Sequence, residues 1–176
     1  KARGVGPVIA TDLSAERRAA AEKTGADIVL DPREHSPHDK WEGFDVPATM
    51  ASFSTAQLLG RSLRDAIVFE CVGVPGMLQN LIQNVPPTAT IVVVGVCMES
   101  DVIEPSLAIN KQLSLKFVFG YSADEFAATL HAIAQGERVH EPLLSGSVGR
   151  SGVADAFQRL TAGGDCIKIM VDPSRA

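Results

Sequence analysis

The stretch from Pro7 to Pro32, PVIATDLSAERRAAAEKTGADIVLDP, decides the fold. Pro7-Val8-Ile9-Ala10-Thr11-Asp12 reads as a short buried strand that ends on a carboxylate. Ser14 to Thr24 is rich in Ala, Glu, Arg and Lys and reads as a helix, with Ser14 as N-cap and Gly25 at its end. Asp27-Ile28-Val29-Leu30 is a second strand, stopped by Asp31-Pro32 because a proline restricts the residue before it. Strand, helix and strand in this order form the unit from which parallel sheets are built.

The same alternation continues downstream. Ile67-Val68-Phe69-Glu70-Cys71-Val72 is a strand, and Gly73-Val74-Pro75-Gly76 turns the chain into a helix with Leu78, Leu81, Ile82 and Val85 on one face. Ile91 to Val94 is continuously apolar and β-branched, as a strand covered on both faces should be. Leu113 to Phe119 follows as the last strand of the sheet, with Leu113, Leu115, Phe117 and Phe119 as an apolar row. Ser122-Ala123-Asp124-Glu125 is a capping-box pattern opening a helix with Phe126, Leu130 and Ile133 on one face, closed at Gly136. Val153, Ala156, Phe157 and Leu160 repeat that spacing in a final helix ended by Gly163-Gly164, and Cys166 to Val171 is the closing strand. The signals between Arg33 and Arg64 are weaker and suggest a loop followed by a helix around Thr55 to Leu63. The fold class expected is α/β, a doubly wound parallel sheet.

Composition narrows the function. The chain has 176 residues, 45% hydrophobic and 21% charged, the make-up of an ordinary globular domain. A net charge of −5 with signs interspersed leaves no footprint for nucleic acid. The longest apolar run, Ile91 to Val96, is strand-sized and far short of the roughly 20 residues of a membrane span. Cys71, Cys97 and Cys166 form no CxxC pair and read as small buried hydrophobes. His35, His38, His131 and His140 show no metal-ligand spacing relative to them. No secretory signal is evident, so a reducing cytoplasm is expected. The opening Lys1-Ala2-Arg3-Gly4 has no initiator Met and looks cut from within a longer sequence.

Asp12 is the most informative single residue. An acidic side chain at the end of the second strand of a dinucleotide fold accepts hydrogen bonds from the adenosine ribose and repels a 2′-phosphate, favouring NAD over NADP. The plainer alternative is that Asp12 only orders its turn. The glycine fingerprint that should lie about 20 residues upstream has no room here, because Asp12 is so near the start. Gly4 and Gly6 lead into a strand rather than out of one, and Gly146, Gly149 and Gly152 have the wrong spacing.

Four segments, taken in order, resemble zinc-type medium-chain alcohol dehydrogenases. Pro7 to Asp27 is similar to that family's second strand and helix, and Phe69-Glu70-Cys71-Val72-Gly73 to its fourth strand and turn. Ile91 to Gly95 resembles its fifth strand and glycine turn, and Phe157 to Val171 its closing helix and strand. The resemblance implies a Rossmann fold lacking its first strand in this chain, with residues 1–139 as the NAD-binding domain and 140–176 as a return segment of the catalytic domain. It implies that Asp12 holds the ribose with Arg17 nearby, that Cys71, Val72 and Gly73 line the adenine side, and that Gly95, Val96 and Cys97 pass the nicotinamide. Phe119, Gly120 and Tyr121 would lie near the carboxamide and Lys168 near the pyrophosphate. Arg17, Val72 and Lys168 have ordinary readings too, as a solvated helix charge, core and a half-exposed strand residue. The family's activity would be hydride transfer between a small-molecule alcohol and NAD, with zinc present only in the full-length enzyme. A homodimer or homotetramer, paired through the last strand, is implied as well.

No catalytic residue or metal ligand is found within the 176 residues, and the region from Arg33 to Arg64 is longer than the family pattern. In the strand order 3-2-1-4-5-6 the first strand is central. The chain is therefore expected to be the tail of a longer polypeptide whose upstream part supplies that strand, the glycine-rich turn and the zinc ligands. The alternatives are a zinc-independent NADPH quinone or enoyl reductase of the same superfamily, a non-catalytic nucleotide-binding module, or a Rossmann-like transferase.

Overall fold

A computed structural model describes residues 1, 4–137, 140–162 and 166–175. Contacts divide the chain into two units, one formed by Lys1–Pro37 with Ser122–Ala176 and the other by His38–Tyr121. Both are α/β, and every strand pairing in them is parallel.

In the first unit, β1 (Ile9–Thr11) pairs with β2 (Ile28–Leu30) across α1 (Ala15–Lys23). Ser14 caps α1 by accepting the Arg17 N–H at 3.3 Å, and Gly25 adopts φ +102° beyond its end. The later part of the unit contains α5 (Ala123–Ala134), β6 (Gly146–Val148), α6 (Val153–Thr161) and β7 (Ile169–Val171), with β6 paired to β7. The Ser122–Glu125 capping box is present in both directions, at 3.2 and 2.7 Å. These bonds hold the Glu125 carboxyl below its ordinary pKa. The apolar stripes expected to bury these helices do not. Phe126 and Leu130 of α5 and Phe157 of α6 stay exposed, and the buried residues are Ala132 and Ala156. Gly163 and Gly164 lie outside the described residues.

The second unit is a three-stranded sheet ordered β3 (Ile67–Glu70), β4 (Thr90–Val93), β5 (Ser114–Phe117). Val68, Ile91 and Leu115 stand in register across it on the face that meets the core. That core gathers Val46, Ala66, Leu81, Ile82, Val85, Ala89 and Ile91, with Ile82, Val85 and Ile91 fully buried. The apolar face of α3 (Met77–Asn84) supplies Leu81 and Ile82, as its spacing predicts. A helix leaves its last carbonyls without partners. Here Lys111 Nζ donates to the carbonyls of Ile82, Gln83 and Val85, a cation where the helix dipole is negative. Burial draws the Lys111 pKa down.

Several boundaries differ from the sequence reading. The helix expected around Thr55 to Leu63 is α2 (Met50–Leu58), begun by a Thr49–Ser52 capping box that uses a serine in place of the usual acid. Neither the short α4 (Pro105–Asn110) nor β6 was visible in the periodicity. The strand read to Val72 stops at Glu70, so Cys71 falls in a turn and is exposed, contrary to the buried role expected of it. Cys97 and Cys166 are partly exposed, and all three thiols are free. Among the described residues β1 pairs only with β2, β3 only with β4, and β5 only with β4. No helix among them is long and apolar enough to cross a membrane.

Ile82 has no exposed surface, whereas Ile109 is 73% exposed. Ile82→Ala should lower unfolding stability by about 2–5 kcal/mol, and Ile109→Ala by less than about 0.5 kcal/mol. Urea denaturation of both variants checks the position of the core.

Candidate cofactor site

Most of the candidate residues follow the carboxyl ends of strands, where open parallel sheets bind ligands, while Arg17 lies on α1 and Lys168 immediately precedes β7. In the first unit Asp12 follows β1. Its Oδ1 accepts the Ser14 N–H at 2.8 Å, an Asx turn that leads into the helix. Oδ2 points towards Arg17, whose Nη1 is 3.8 Å away. Asp12 is thus a turn former with one oxygen committed and the other half-open to solvent, where a ribose diol could donate to it. The turn-ordering role read from the sequence is therefore present.

In the second unit the decisive group is Glu70, only 4% exposed at the end of β3. Its Oε1 accepts the N–H groups of Val72 at 2.6 Å and Gly73 at 2.8 Å. Its main-chain carbonyl accepts Val94 N–H at 2.8 Å and Gly95 N–H at 2.9 Å, beyond the end of β4. One residue therefore binds the turns that leave two neighbouring strands. The turns approach so closely that side chains are excluded. A Cβ on Gly95 would lie 2.5 Å from Glu70 Oε2 and 2.8 Å from Gly73 Cα. A Cβ on Gly73, already at φ +69°, would lie 2.5 Å from Val96 N. Beside them Val72 and Val96 are 60% and 65% exposed, apolar side chains held in solvent on either side of the glycine contact. Partial burial and the adjacent Glu70 push the Cys71 thiol up, so it stays protonated and unreactive at neutral pH.

Asp101 and Gln79 brace the same edge. Asp101 Oδ1 accepts Gly76 N–H at 2.8 Å, and Gln79 Oε1 accepts Glu104 N–H at 2.8 Å, tying the segment after β4 to the start of α3.

The other candidates are less confined. Phe119, Gly120 and Tyr121 follow β5 on an exposed stretch, with Phe119 at 99%. Cys97 is half-buried, its Sγ 3.5 Å from the Glu99 carbonyl. Lys168 has an exposed side chain, and its carbonyl accepts Ser145 N–H at 2.7 Å. The structure thus joins Asp12 with Arg17, and Gly73 with Gly95 and Val96. Sequence reasoning missed Glu70 and Asp31 as structural carboxyls. The available signal was a charge at the end of an apolar strand, where burial is costly unless the group is fully hydrogen-bonded.

Residues 1–135 match the family described as zinc-binding dehydrogenase. The chain belongs to this family. The (R,R)-butanediol dehydrogenase of Neisseria gonorrhoeae (strain ATCC 700825 / FA 1090) is 26% identical, over 99% of this chain and 45% of its own length. Sorbitol dehydrogenase of Ovis aries is 28% identical, over 99% of this chain and 46% of its own. The chain thus spans about half the length of the curated relatives it matches. A protein described as a zinc-binding dehydrogenase from Sinorhizobium meliloti 1021, solved bound to NADP, superposes with a TM-score of 0.73 at 21% identity, over 97% of this chain and 46% of that one.

Zinc-binding dehydrogenases are named for their metal. No group of three or more His, Cys, Asp or Glu side chains among them is arranged to hold a metal ion. The glycine contact is a close approach of two main-chain turns, filled by Glu70 and by the turns themselves.

Gly95→Ala should lower stability by about 1–3 kcal/mol through overpacking against Gly73 and Glu70. Gly43→Ala, with nothing within 4 Å of the added Cβ, should be nearly neutral. Thermal melts of the two variants decide whether the contact is as tight as described.

Proposed function

We propose that this chain is the cofactor-binding part of an oxidoreductase that transfers hydride between an alcohol and NAD. The observation that carries the reading is Asp12, with Oδ1 committed to the Ser14 N–H and Oδ2 partly open beside Arg17. A carboxylate so placed accepts the two hydroxyls of an unmodified ribose and repels a 2′-phosphate. When bound, the nicotinamide accepts or returns the hydride. The residues of this chain bind and orient it.

The remaining assignments follow the family pattern. Arg17 assists at the ribose, Cys71, Val72 and Gly73 serve the adenine, Gly95, Val96 and Cys97 the nicotinamide, Phe119 to Tyr121 the carboxamide, and Lys168 the pyrophosphate. Residues 1–139 make up the NAD-binding domain and 140–176 the return segment. Zinc is held outside the described residues, and no step is assigned to it. The relatives named for butanediol and sorbitol support a polyol or diol substrate oxidised at a secondary carbon. Three free cysteines suit a reducing cytoplasm.

The NADP in the Sinorhizobium protein makes cofactor choice the property to measure. The intact protein should bind NADH more tightly than NADPH. Asp12→Ala should weaken NADH binding by about 1.5–3 kcal/mol, tenfold or more, and narrow the gap to NADPH. Calorimetric titration with both reduced cofactors tests this, and a native preference for NADPH overturns it.

We also propose a two-fold assembly through β5. Its outer edge has no strand partner among the described residues, and Phe117 beside it is 69% exposed. Light scattering of the intact protein at low concentration should return a dimer or tetramer. A monomer mass counts against the edge as an interface.

A further inference from the structure

Behind Asp12 lies a network that the reading above does not use. Asp31, at the end of β2, has a side chain only 8% exposed. It holds two guanidinium groups at once. Arg18 Nη1 is 3.0 Å from Asp31 Oδ2, and Arg33 Nε donates to Oδ1 at 2.9 Å while its main-chain N–H reaches the same oxygen at 3.0 Å. Both arginines then donate onwards to one short piece of main chain. Arg18 Nη1 donates to the carbonyls of Asp12 at 2.8 Å and Leu13 at 2.9 Å, and Arg33 Nη2 to that of Leu13 at 3.2 Å. The helix does not need this brace for its own start, since Ser14 already caps it. What the brace constrains is the turn that carries the Asp12 carboxylate.

Charge gives the network a second consequence. Arg17, Arg18 and Arg33 place three cations around a single turn, an arrangement that left uncompensated would attract a phosphate group. Asp31 carries one negative charge and offsets one of the three, and Asp12 beside Arg17 offsets a second. The Asp31 carboxyl is held far below the ordinary carboxylate range, chiefly by the Arg33 hydrogen bonds and also by Arg18, so it stays ionised at any pH where the protein would be assayed.

We infer that Asp31 is a second determinant of cofactor choice, acting through Arg18 and Arg33: it positions the turn bearing Asp12 and offsets positive charge that would otherwise favour a 2′-phosphate. The inference rests on the proposed role of Asp12 at the ribose. Asp31 and Arg18 are positioning residues and need not touch the cofactor. Both effects move selectivity in one direction, so losing Asp31 should improve NADPH binding relative to NADH. A purely structural carboxylate would weaken both cofactors alike.

The test measures dissociation constants of NADH and NADPH for the intact protein, Asp12→Ala, Asp31→Asn and Arg18→Lys. Asp31→Asn should shift the NADPH-to-NADH ratio about tenfold towards NADPH, a shift that shrinks as salt is raised. Arg18→Lys keeps the charge, but its shorter side chain withdraws the donor nitrogen from the two carbonyls that Nη1 reaches, and should shift the ratio the same way by about threefold. It also serves as the informative variant should Asp31→Asn fail to fold. If Asp12→Ala changes the ratio while a folded Asp31→Asn, or in its absence Arg18→Lys, leaves it unchanged, the network is structural only and the inference is overturned. If Asp12→Ala itself leaves the ratio unchanged, the ribose assignment falls, and this inference with it.

Discussion

The second unit depends on one buried side chain accepting main-chain N–H groups. Parallel strands release the chain at the same edge, and each departing turn carries N–H groups that the ladder no longer pairs. Glu70 satisfies four of them, two through Oε1 and two through its carbonyl, and so binds the exits of β3 and β4 to each other. A carboxyl group with 4% exposure would be costly without such partners. With them, it draws the two turns to a distance that only Gly73 and Gly95 tolerate. The glycines follow from the carboxyl group.

The first unit uses the same device with different partners. Asp31 also ends a strand and is also buried, but it is met by guanidinium groups rather than by amides. The difference matters for an anionic ligand. Glu70 is served by neutral donors and shapes a turn without recruiting any cation to it. Asp31 recruits two cations with one negative charge, so it offsets one of them and the remaining balance at the turn is shared with Asp12 and Arg17. The net charge of −5 says little about this turn, because its charges are set locally by the groups that meet there.

The sequence made the repeating elements legible because packing demands period. The stripe Leu78, Leu81, Ile82 and Val85 packs as read, with Leu81, Ile82 and Val85 buried, whereas of the β-branched run read as covered on both faces Ile91 is buried and Val94 exposed. The Ser122–Glu125 box was legible because both of its partners lie within one turn. Reading failed where a distant group decided the outcome. β3 ends early because the Glu70 side chain folds back onto the following N–H groups, which turned Cys71 outwards. The stripes of α5 and α6 were correct as periodicity and wrong as burial, since Phe126, Leu130 and Phe157 meet solvent. Of the candidate site, Asp12 and the two glycines were legible by position. Asp31 looked like a strand stop, and its arginines like solvated charges, because their contacts span up to twenty residues of sequence.

This contrast explains why order along the chain outweighed any single motif. A β-branched strand, an alanine-rich helix and a proline-led turn are generic solutions to burying a parallel sheet, and each occurs in many unrelated folds. A carboxylate ending the strand before α1, and glycines in the turns leaving two adjacent strands, are not required for burial. A larger residue would pack as well at the glycine positions if the turns were further apart, and a neutral side chain could form the Asp12 turn. What the three positions share is that each keeps side-chain bulk or wrong charge away from the strand ends. Packing accounts for the glycines, because the Glu70 contact leaves no room for a Cβ, and what the proposed dinucleotide role adds is their place at strand ends, where open parallel sheets bind ligands.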